Sequence, residues 1–396
     1  MSGWPSGRAD CLRDHAQDRC RGRADAGRPR VRGADGGVAS GAAGASEPQH
    51  RRGRGDDFGA DGGLEQELFL QQIETGTAPH ESIADLERDI AACRQRAAES
   101  ADAAHASLIA VGTPVLADTT AQRVTPKDRY ERIVREFGEI GRQAGVCGMH
   151  VHVDVSGDDE GVAVLDGLRP WLPVLRALSV NSPFWQGVDS GYASWRTQVW
   201  GRWPSAGPAE PYGDAAAYQR SAESIVASGA SLDRGMLYYD ARLSEHYPTV
   251  EVRVFDTISE PDDIGLIAAL TRALVDTVAT GDSGTPTWRT DLLRAAHWRA
   301  SRYGLGDRLL DPVTQELAPA RSVVEHALAH TRDALDANGD ATRVSDALER
   351  LLARGTGAAR QRAAADVGGG VEAVVHHLRE RFTASWQDVA ASDSSD

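Results

Sequence analysis

The sequence predicts an α+β fold, with a sheet and flanking helices in the first part and a largely helical C-terminal half. Between Leu64 and Asp256, short segments with strand-like alternation are separated by segments with helical spacing of apolar residues. Beyond Pro261 the apolar spacing is almost wholly helical. A hydrophobic share of 41% in 396 residues is enough for a sizeable packed core.

Residues 1–63 differ in composition from the rest of the chain. Gly and Arg supply 25 of these 63 residues, whereas Leu, Ile, Val and Phe together occur only four times. Such a segment buries too little apolar surface to offset the entropy lost on ordering, so we expect it to be disordered. An incorrect translational start or frame is the alternative explanation. We predict a single domain over residues 64–390.

The predicted elements follow from this spacing in chain order. The early strands are expected at 64–75 and 107–115, with a helix between them that opens at Pro79 and a second helix over 128–144. Next come a strand at 147–155, a helix at 158–180, an aromatic loop at 181–207 and a helix from Asp214. Strands at 236–243 and 249–256 close this part, and helices are predicted at 264–280, 290–301, 319–337, 342–353 and 371–384.

The strand at 147–155 has one apolar and one polar face. Successive side chains of a strand point to opposite faces, so His150, His152 and Asp154 share a face opposite Met149 and the valines. Two imidazoles on one face can contact one metal–phosphate assembly. A chance pair of surface histidines is equally consistent with the dipeptide spacing alone.

The strand at 249–256 shows the same alternation. Its valines face the core, while Glu251, Arg253 and Phe255 share the other face. By itself this strand favours an ordinary surface ion pair. Together with the two histidines it offers imidazole, carboxylate and guanidinium groups, a set suited to magnesium bound to nucleotide phosphates, with an arginine at the transferring phosphoryl group.

These two strands resemble the metal and nucleotide strands of glutamine-synthetase-like ligases, in the strings GMHVHVDV and EVRVFD. The strings NSPFWQG from Asn181, GYAS from Gly191, Arg196, residues 200–204 and residues 297–305 make the resemblance closer to the type 2 glutamate–cysteine ligases, or carboxylate–amine ligases. The resemblance covers roughly residues 64–365. It implies a glutamine-synthetase-like antiparallel sheet with flanking helices.

The resemblance also implies a set of site residues. Glu74, at the end of a segment similar to the family's second acidic strand, would bind a metal together with His150 and Glu251, and Glu67 lies in the same neighbourhood. His152 would contact nucleotide phosphate, and Arg253 would contact the nucleotide and act catalytically on the transferring group. Residues 63–67 can alternatively be aligned with the first acidic strand. On the preferred alignment that strand has no counterpart, because residues 1–63 stand in its place.

The aromatic loop offers substrate-binding candidates. Five aromatic residues between Trp185 and Trp203 are as consistent with packing against the sheet as with binding. Arg196 and Arg202 are stronger candidates, because a guanidinium can clamp the α-carboxylate of an amino acid with two hydrogen bonds. We prefer Arg196.

Composition excludes several other classes. The net charge of −15 argues against a protein that neutralises nucleic-acid phosphates. The four cysteines show no paired short spacing, which favours a reducing cytoplasm, and no apolar run is long enough for a membrane span. The sequence leaves a homo-oligomer open.

The function implied by the resemblance is ATP- and Mg²⁺-dependent ligation, in which the side-chain carboxylate of glutamate is activated as an acyl phosphate and attacked by the amine of cysteine or another amine. A second hypothesis, motivated by the absent first acidic strand, is a catalytically inactive homologue that binds a nucleotide or an amino acid. A third is a metal-dependent hydrolase that uses the same histidines and glutamates.

Overall fold

The computed structural model describes residues 30–40, 64–116, 122–281 and 286–393. Its strands are β1 (Val31–Ser40), β2 (Leu64–Gln66), β3 (Gln72–Gly76), β4 (Ser107–Ile109), β5 (Gly148–Asp154), β6 (Phe184–Trp185), β7 (Val188–Asp189), β8 (Ala241–Leu243), β9 (Thr249–Asp256), β10 (Arg308–Leu310) and β11 (Leu317–Pro319). Seven of them form one sheet in the order β2-β3-β1-β5-β9-β8, with β4 paired to β1, and these pairings are antiparallel. The pairs β6–β7 and β10–β11 are separate hairpins.

The described helices surround this sheet and make up most of the C-terminal half. They are α1 (Ile83–Ala103), α2 (Asp128–Phe137), α3 (Glu139–Arg142), α4 (Asp158–Leu168), α5 (Leu172–Ser179), α6 (Trp195–Trp200), α7 (Ala215–Ala227), α8 (Pro261–Ala279), α9 (Thr290–Tyr303), α10 (Ala320–His330), α11 (Arg332–Asn338), α12 (Ala341–Arg354), α13 (Gly357–Asp366) and α14 (Gly370–Asp393). A 3₁₀ turn, Arg234–Met236, precedes β8. No described helix is both long and apolar enough to cross a membrane.

The core lies on one face of the sheet. Val151 and Val153 of β5 and Val250 and Val252 of β9 are at most 1% exposed and belong to the same buried cluster as residues of α4, α5 and α8. Burying side chains of this size contributes about 1.5–3 kcal/mol each, which fixes the register of the two strands. His150, His152, Glu251 and Arg253 are thereby held on the opposite face, whereas Phe255, predicted to share that face, belongs to the buried cluster.

The predicted fold class is confirmed, and the strands at 147–155 and 249–256 form nearly as expected. Several predicted element boundaries were wrong, and the predicted helix at 128–144 divides at Gly138 into α2 and α3. The predicted strand at 64–75 is a hairpin of β2 and β3, in which Glu65 pairs with Glu74. The predicted helix at 158–180 divides into α4 and α5 around Pro170, since proline disfavours helical continuation. The helix at 319–337 also divides, at Thr331.

Most of segment 1–63 lies outside the described residues. Within it, Val31–Ser40 forms β1, which lies between β3 and β5. The described part of the sheet therefore begins before Leu64, and the domain boundary at that residue stays a prediction. The sequence of β1, VRGADGGVAS, contains one acidic residue, Asp35.

Candidate active site

A cavity of about 270 Å³ lies over the polar face of the sheet. All six residues singled out from the sequence line it: Glu74, His150, His152, Arg196, Glu251 and Arg253. The cavity walls come from the strands and also from α2, α6 and the turn between β8 and β9. The structure therefore brings together residues that are as far apart as 179 positions in the chain.

Glu251 is the centre of one charged group in this cavity. Its side chain is 4% exposed and forms an ion pair with Arg253, two positions along β9. Arg242 of β8 donates from Nε to Glu251 Oε2 at 2.6 Å. From β5, His150 Nδ1 lies 3.3 Å from Glu251 Oε1, and His152 Nε2 lies 3.9 Å from the same oxygen. Cross-strand pairing of His152 with Glu251 and of Glu251 with Arg242 produces this arrangement.

The protonation states in this group follow from its cations. Burial acts to raise the pKa of the Glu251 carboxyl, but Arg242, Arg253 and the two histidines outweigh it and hold the pKa well below its usual range. Burial, reinforced by Arg253, holds the pKa of His150 well below its ordinary value. His150 is therefore a neutral imidazole, the form that ligates metals.

Three carboxylates form a second charged group. Glu65 and Glu74 are paired across the β2–β3 hairpin, and Glu67 follows β2. Burial raises the pKa of Glu74 well above its usual range, and Glu67 and Glu65 raise it further, against a smaller opposing effect of Arg253. The raised pKa means that Glu74 tends to keep its proton, because a further negative charge beside Glu67 and Glu65 is unfavourable.

Strand β1 separates the two groups. Its register places Gly36 opposite Glu74, and Ala34 and Arg32 opposite His150 and His152. No glutamate stands at these positions. Among the described residues, no three Cys, His, Asp or Glu side chains converge as a group that could hold a metal ion.

Arg196 approaches the polar face from helix α6. Ser194 caps this helix by accepting a hydrogen bond from the Thr197 N–H. Arg196 is 3% exposed, its Nη2 lies 3.5 Å from the carbonyl oxygen of Arg253, and its guanidinium lies 5.6 Å from the ring centroid of Trp200. Burial lowers its pKa to about 10.

The close approach of Arg196 depends on Gly148. A Cβ atom at position 148 would lie 2.1 Å from Arg196 Nη2, closer than any real contact. Because glycine has no side chain, the guanidinium can lie against the first residue of β5.

Asp256, the last residue of β9, fixes the loop that carries Arg196. Its carboxylate accepts hydrogen bonds from the Asn181 backbone and from the hydroxyls of Ser182 and Ser194, at 2.7–2.8 Å. The motifs around Asn181 and Ser194 therefore hold the loop against the strand.

The second predicted arginine binder, Arg202, lies elsewhere. It is exposed and donates to Gln143 at 2.9 Å, and it is not among the residues that line the cavity. Sequence reasoning missed Arg242, whose position next to a hydrophobic residue in a short strand gave no distinct signal. Its pairing with Glu251 could have been inferred only if the β8–β9 register were known.

Two arginine donors in the cavity have no hydrogen-bond partner among the described groups. The Nε–H groups of Arg196 and Arg253 are buried and form no hydrogen bond. Buried donors are normally satisfied, so both arginines are suited to receive the oxygen atoms of an anionic ligand.

The sheet with this polar face belongs to a carbon–nitrogen ligase of the carboxylate–amine type, as the family match and the similar proteins show. Residues 44–377 match the model of glutamate–cysteine ligase family 2, and the chain belongs to this family.

Similar proteins agree with this assignment. A protein of Nocardioides sp., provisionally named glutamate–cysteine ligase 2-1, is 49% identical over 344 residues, which cover 86% of this chain and 89% of the relative. A protein of Frankia alni, provisionally named glutamate–cysteine ligase 2-2, is 48% identical over 312 residues, which cover 78% and 81%. The crystal structure of the glutamate–cysteine ligase of Francisella tularensis in complex with AMP has the same fold, with a TM-score of 0.67, 14% identity and coverage of 93% and 94%.

Proposed function

We propose that the protein uses ATP to activate the side-chain carboxylate of glutamate and joins it to the amine of cysteine. The observation that carries the proposal is the meeting of Arg253, Arg196, Glu251 and the two histidines in one cavity on one face of the sheet. The relatives' names support the substrates, and the AMP bound to the Francisella tularensis enzyme supports a nucleotide.

The reaction has two balanced steps. A carboxylate oxygen of glutamate attacks the γ-phosphorus of ATP, and the bond from phosphorus to ADP breaks. The amine then attacks the acyl carbon, the C–N bond forms, the bond to phosphate breaks and the amine proton leaves to solvent. This division replaces a poor oxygen leaving group by phosphate, so the protein mainly positions substrates and stabilises charge.

Each arginine is assigned by its unsatisfied donor. Arg253 lies beside Glu251, and its Nε–H is available to an oxygen of the transferring phosphoryl group. Arg196 binds the α-carboxylate of glutamate. His152, whose Nδ1 lies 3.0 Å from Thr249 Oγ1, lines the cavity and is assigned to a nucleotide phosphate.

The oxygen donors around Glu74 suit Mg²⁺, although no three ligands converge into a formed metal site among the described residues. Carboxylate oxygens are the ligands that magnesium prefers, and the mutual repulsion around Glu74 would be relieved by a divalent cation. In this proposal Glu74, His150 and Glu251 hold the ions. Bound magnesium would neutralise charge on the phosphates.

We also propose the limits of the domain, its cellular location and its kind of partner. Residues 64–390 form a single ligase domain that acts in the cytoplasm on small molecules. The acidic surface argues against nucleic acid as a partner.

Phosphate release by the purified full chain tests the proposal. We expect release from ATP that requires Mg²⁺, glutamate and cysteine together, and a product in which the two amino acids are joined. Absence of release with every amino-acid pair would contradict the proposal. A hydrolase would cleave its substrate without releasing phosphate from ATP, and an inactive homologue, which the comparisons do not support, would bind ATP without turnover.

A further inference from the structure

The cavity has two chemically different ends. One end carries the charged groups centred on Glu251 and Glu74. The other, which we call the aromatic end, is lined by Leu68, Tyr130, Ile133, Trp200, Trp203 and Tyr238. The rings of Trp200 and Tyr238 are 4.5 Å apart between centroids, and those of Trp203 and Tyr238 are 5.3 Å apart.

The aromatic end lies on the amino-acid side of the cavity. Arg196 lies against Gly148 at the start of β5, with its guanidinium over the Trp200 ring. His152, assigned to nucleotide phosphate, is four residues further along β5, or about 13 Å. The nucleotide therefore approaches from the His152 end, and the aromatic end remains for the amine.

The side chains at the aromatic end disfavour an acceptor with a charged side chain. None of the six lining side chains is charged, and the neighbouring Arg129 is held in an ion pair with Asp233. Tyr130 donates its hydroxyl to the Gln66 carbonyl oxygen at 3.0 Å. A charged side chain of the acceptor would lose hydration against these rings.

Cysteine covers only part of this wall. Its side chain has one methylene and one thiol, whereas four aromatic and two aliphatic side chains offer apolar surface for a larger group. We infer that the acceptor subsite also takes amino acids with apolar side chains larger than that of cysteine, such as leucine and phenylalanine. This inference rests on the proposed ligase function.

A panel of acceptors tests it. With ATP, Mg²⁺ and glutamate, phosphate release should show kcat/KM for phenylalanine or leucine at least tenfold above alanine and aspartate. If cysteine supports release and the two larger amino acids do not, the inference is wrong while the ligase function stands.

Two substitutions probe the same wall. Ala144→Leu places extra volume among the lining residues, and Tyr130→Ala removes a half-buried ring. Both should lower kcat/KM for phenylalanine by a factor at least fivefold larger than the factor for alanine. The matched control is Ala103→Leu, an exposed position at the end of α1. Equal losses for both acceptors would contradict the inference.

A binding measurement separates the two proposals if turnover is absent. Trp200 and Trp203 line the subsite, so tryptophan fluorescence should report phenethylamine and ethylamine titrations. We expect a dissociation constant at least tenfold lower for phenethylamine, and a smaller ratio in Tyr130→Ala. Equal constants would overturn the inference, and a melting curve for each variant establishes that it is folded.

Discussion

The two charged groups on the polar face differ in how their charges are balanced. Around Glu251, two arginines and two histidines surround one carboxylate. Around Glu74, burial and the carboxylates of Glu67 and Glu65 raise the pKa, and Arg253 opposes them only in part. The Glu251 carboxylate is therefore held as an anion by protein cations, whereas Glu74 has too little positive charge around it, and we expect it to respond to an added divalent cation.

This difference predicts which group performs phosphoryl transfer. Arg253 belongs to the charged group around Glu251 and has a buried Nε–H without a hydrogen-bond partner. Arg253→Ala should lower kcat for phosphate release by roughly 10³-fold, the scale reported for arginines at phosphoryl groups. Arg253→Lys keeps the charge but loses the planar donors, so it should recover only part of the rate. Full activity of Arg253→Ala would show that the charged group around Glu251 stabilises the fold and takes no part in phosphoryl transfer.

The next effect concerns folding. Glu251→Gln retains the shape of the side chain but leaves Arg242 and Arg253 buried without their anion. Breaking a buried pair in this way costs about 3–5 kcal/mol. Denaturant unfolding of the metal-free protein should show this loss. A change below about 1 kcal/mol would mean that the two arginines are balanced by other groups.

Substrate affinity gives a third comparison, between two arginines of the same loop. Arg196→Ala should raise KM for glutamate by about 10²-fold, since charge-assisted hydrogen bonds contribute about 1.5–3 kcal/mol. Arg202→Ala is the matched control, because Arg202 is exposed and pairs with Gln143. Initial rates at varied glutamate measure both, and equal KM values for the two variants would exclude Arg196 as the clamp.

The smallest effect is expected at the carboxylates around Glu74. In metal-free protein, Glu74→Gln should raise Tm by roughly 1–3 °C, because it relieves like-charge repulsion. The same variant should lose the stabilisation that Mg²⁺ gives the unmodified protein, about 2.7 kcal/mol at 100 times Kd.

The control for this substitution is Glu136→Gln, an exposed carboxylate on α2. It should change neither the Tm nor the response to magnesium. If Glu74→Gln lowers the metal-free Tm, the carboxylates are stabilised by the protein itself, and the contrast between the two groups fails.

Alternation along strands is the part of this site that could be predicted from sequence. It placed His150 with His152 and Glu251 with Arg253 on single faces, because apolar neighbours must face the core. Arg242 could not be found in this way, since its role depends on the β8–β9 register. Glycine-rich β1 gave no strand signal, because its position depends on pairing with β3 and β5.

Helix boundaries were predictable only where local signals are strong. The break at Pro170 could have been recognised from proline chemistry, whereas the division at Thr331 has no such residue. The hairpin of β2 and β3 was missed because apolar residues mixed with glutamates, as in residues 64–75, are also typical of a single strand.

The approach of Arg196 to Gly148 has a consequence for natural sequence variation. A change of Gly148 to alanine adds one methyl group at a residue with no side chain to bind anything, and would ordinarily be read as harmless. Here the methyl group would occupy the space of the Arg196 guanidinium. Such an allele would therefore displace the Arg196 guanidinium from its place against β5, although the codon for that arginine is intact.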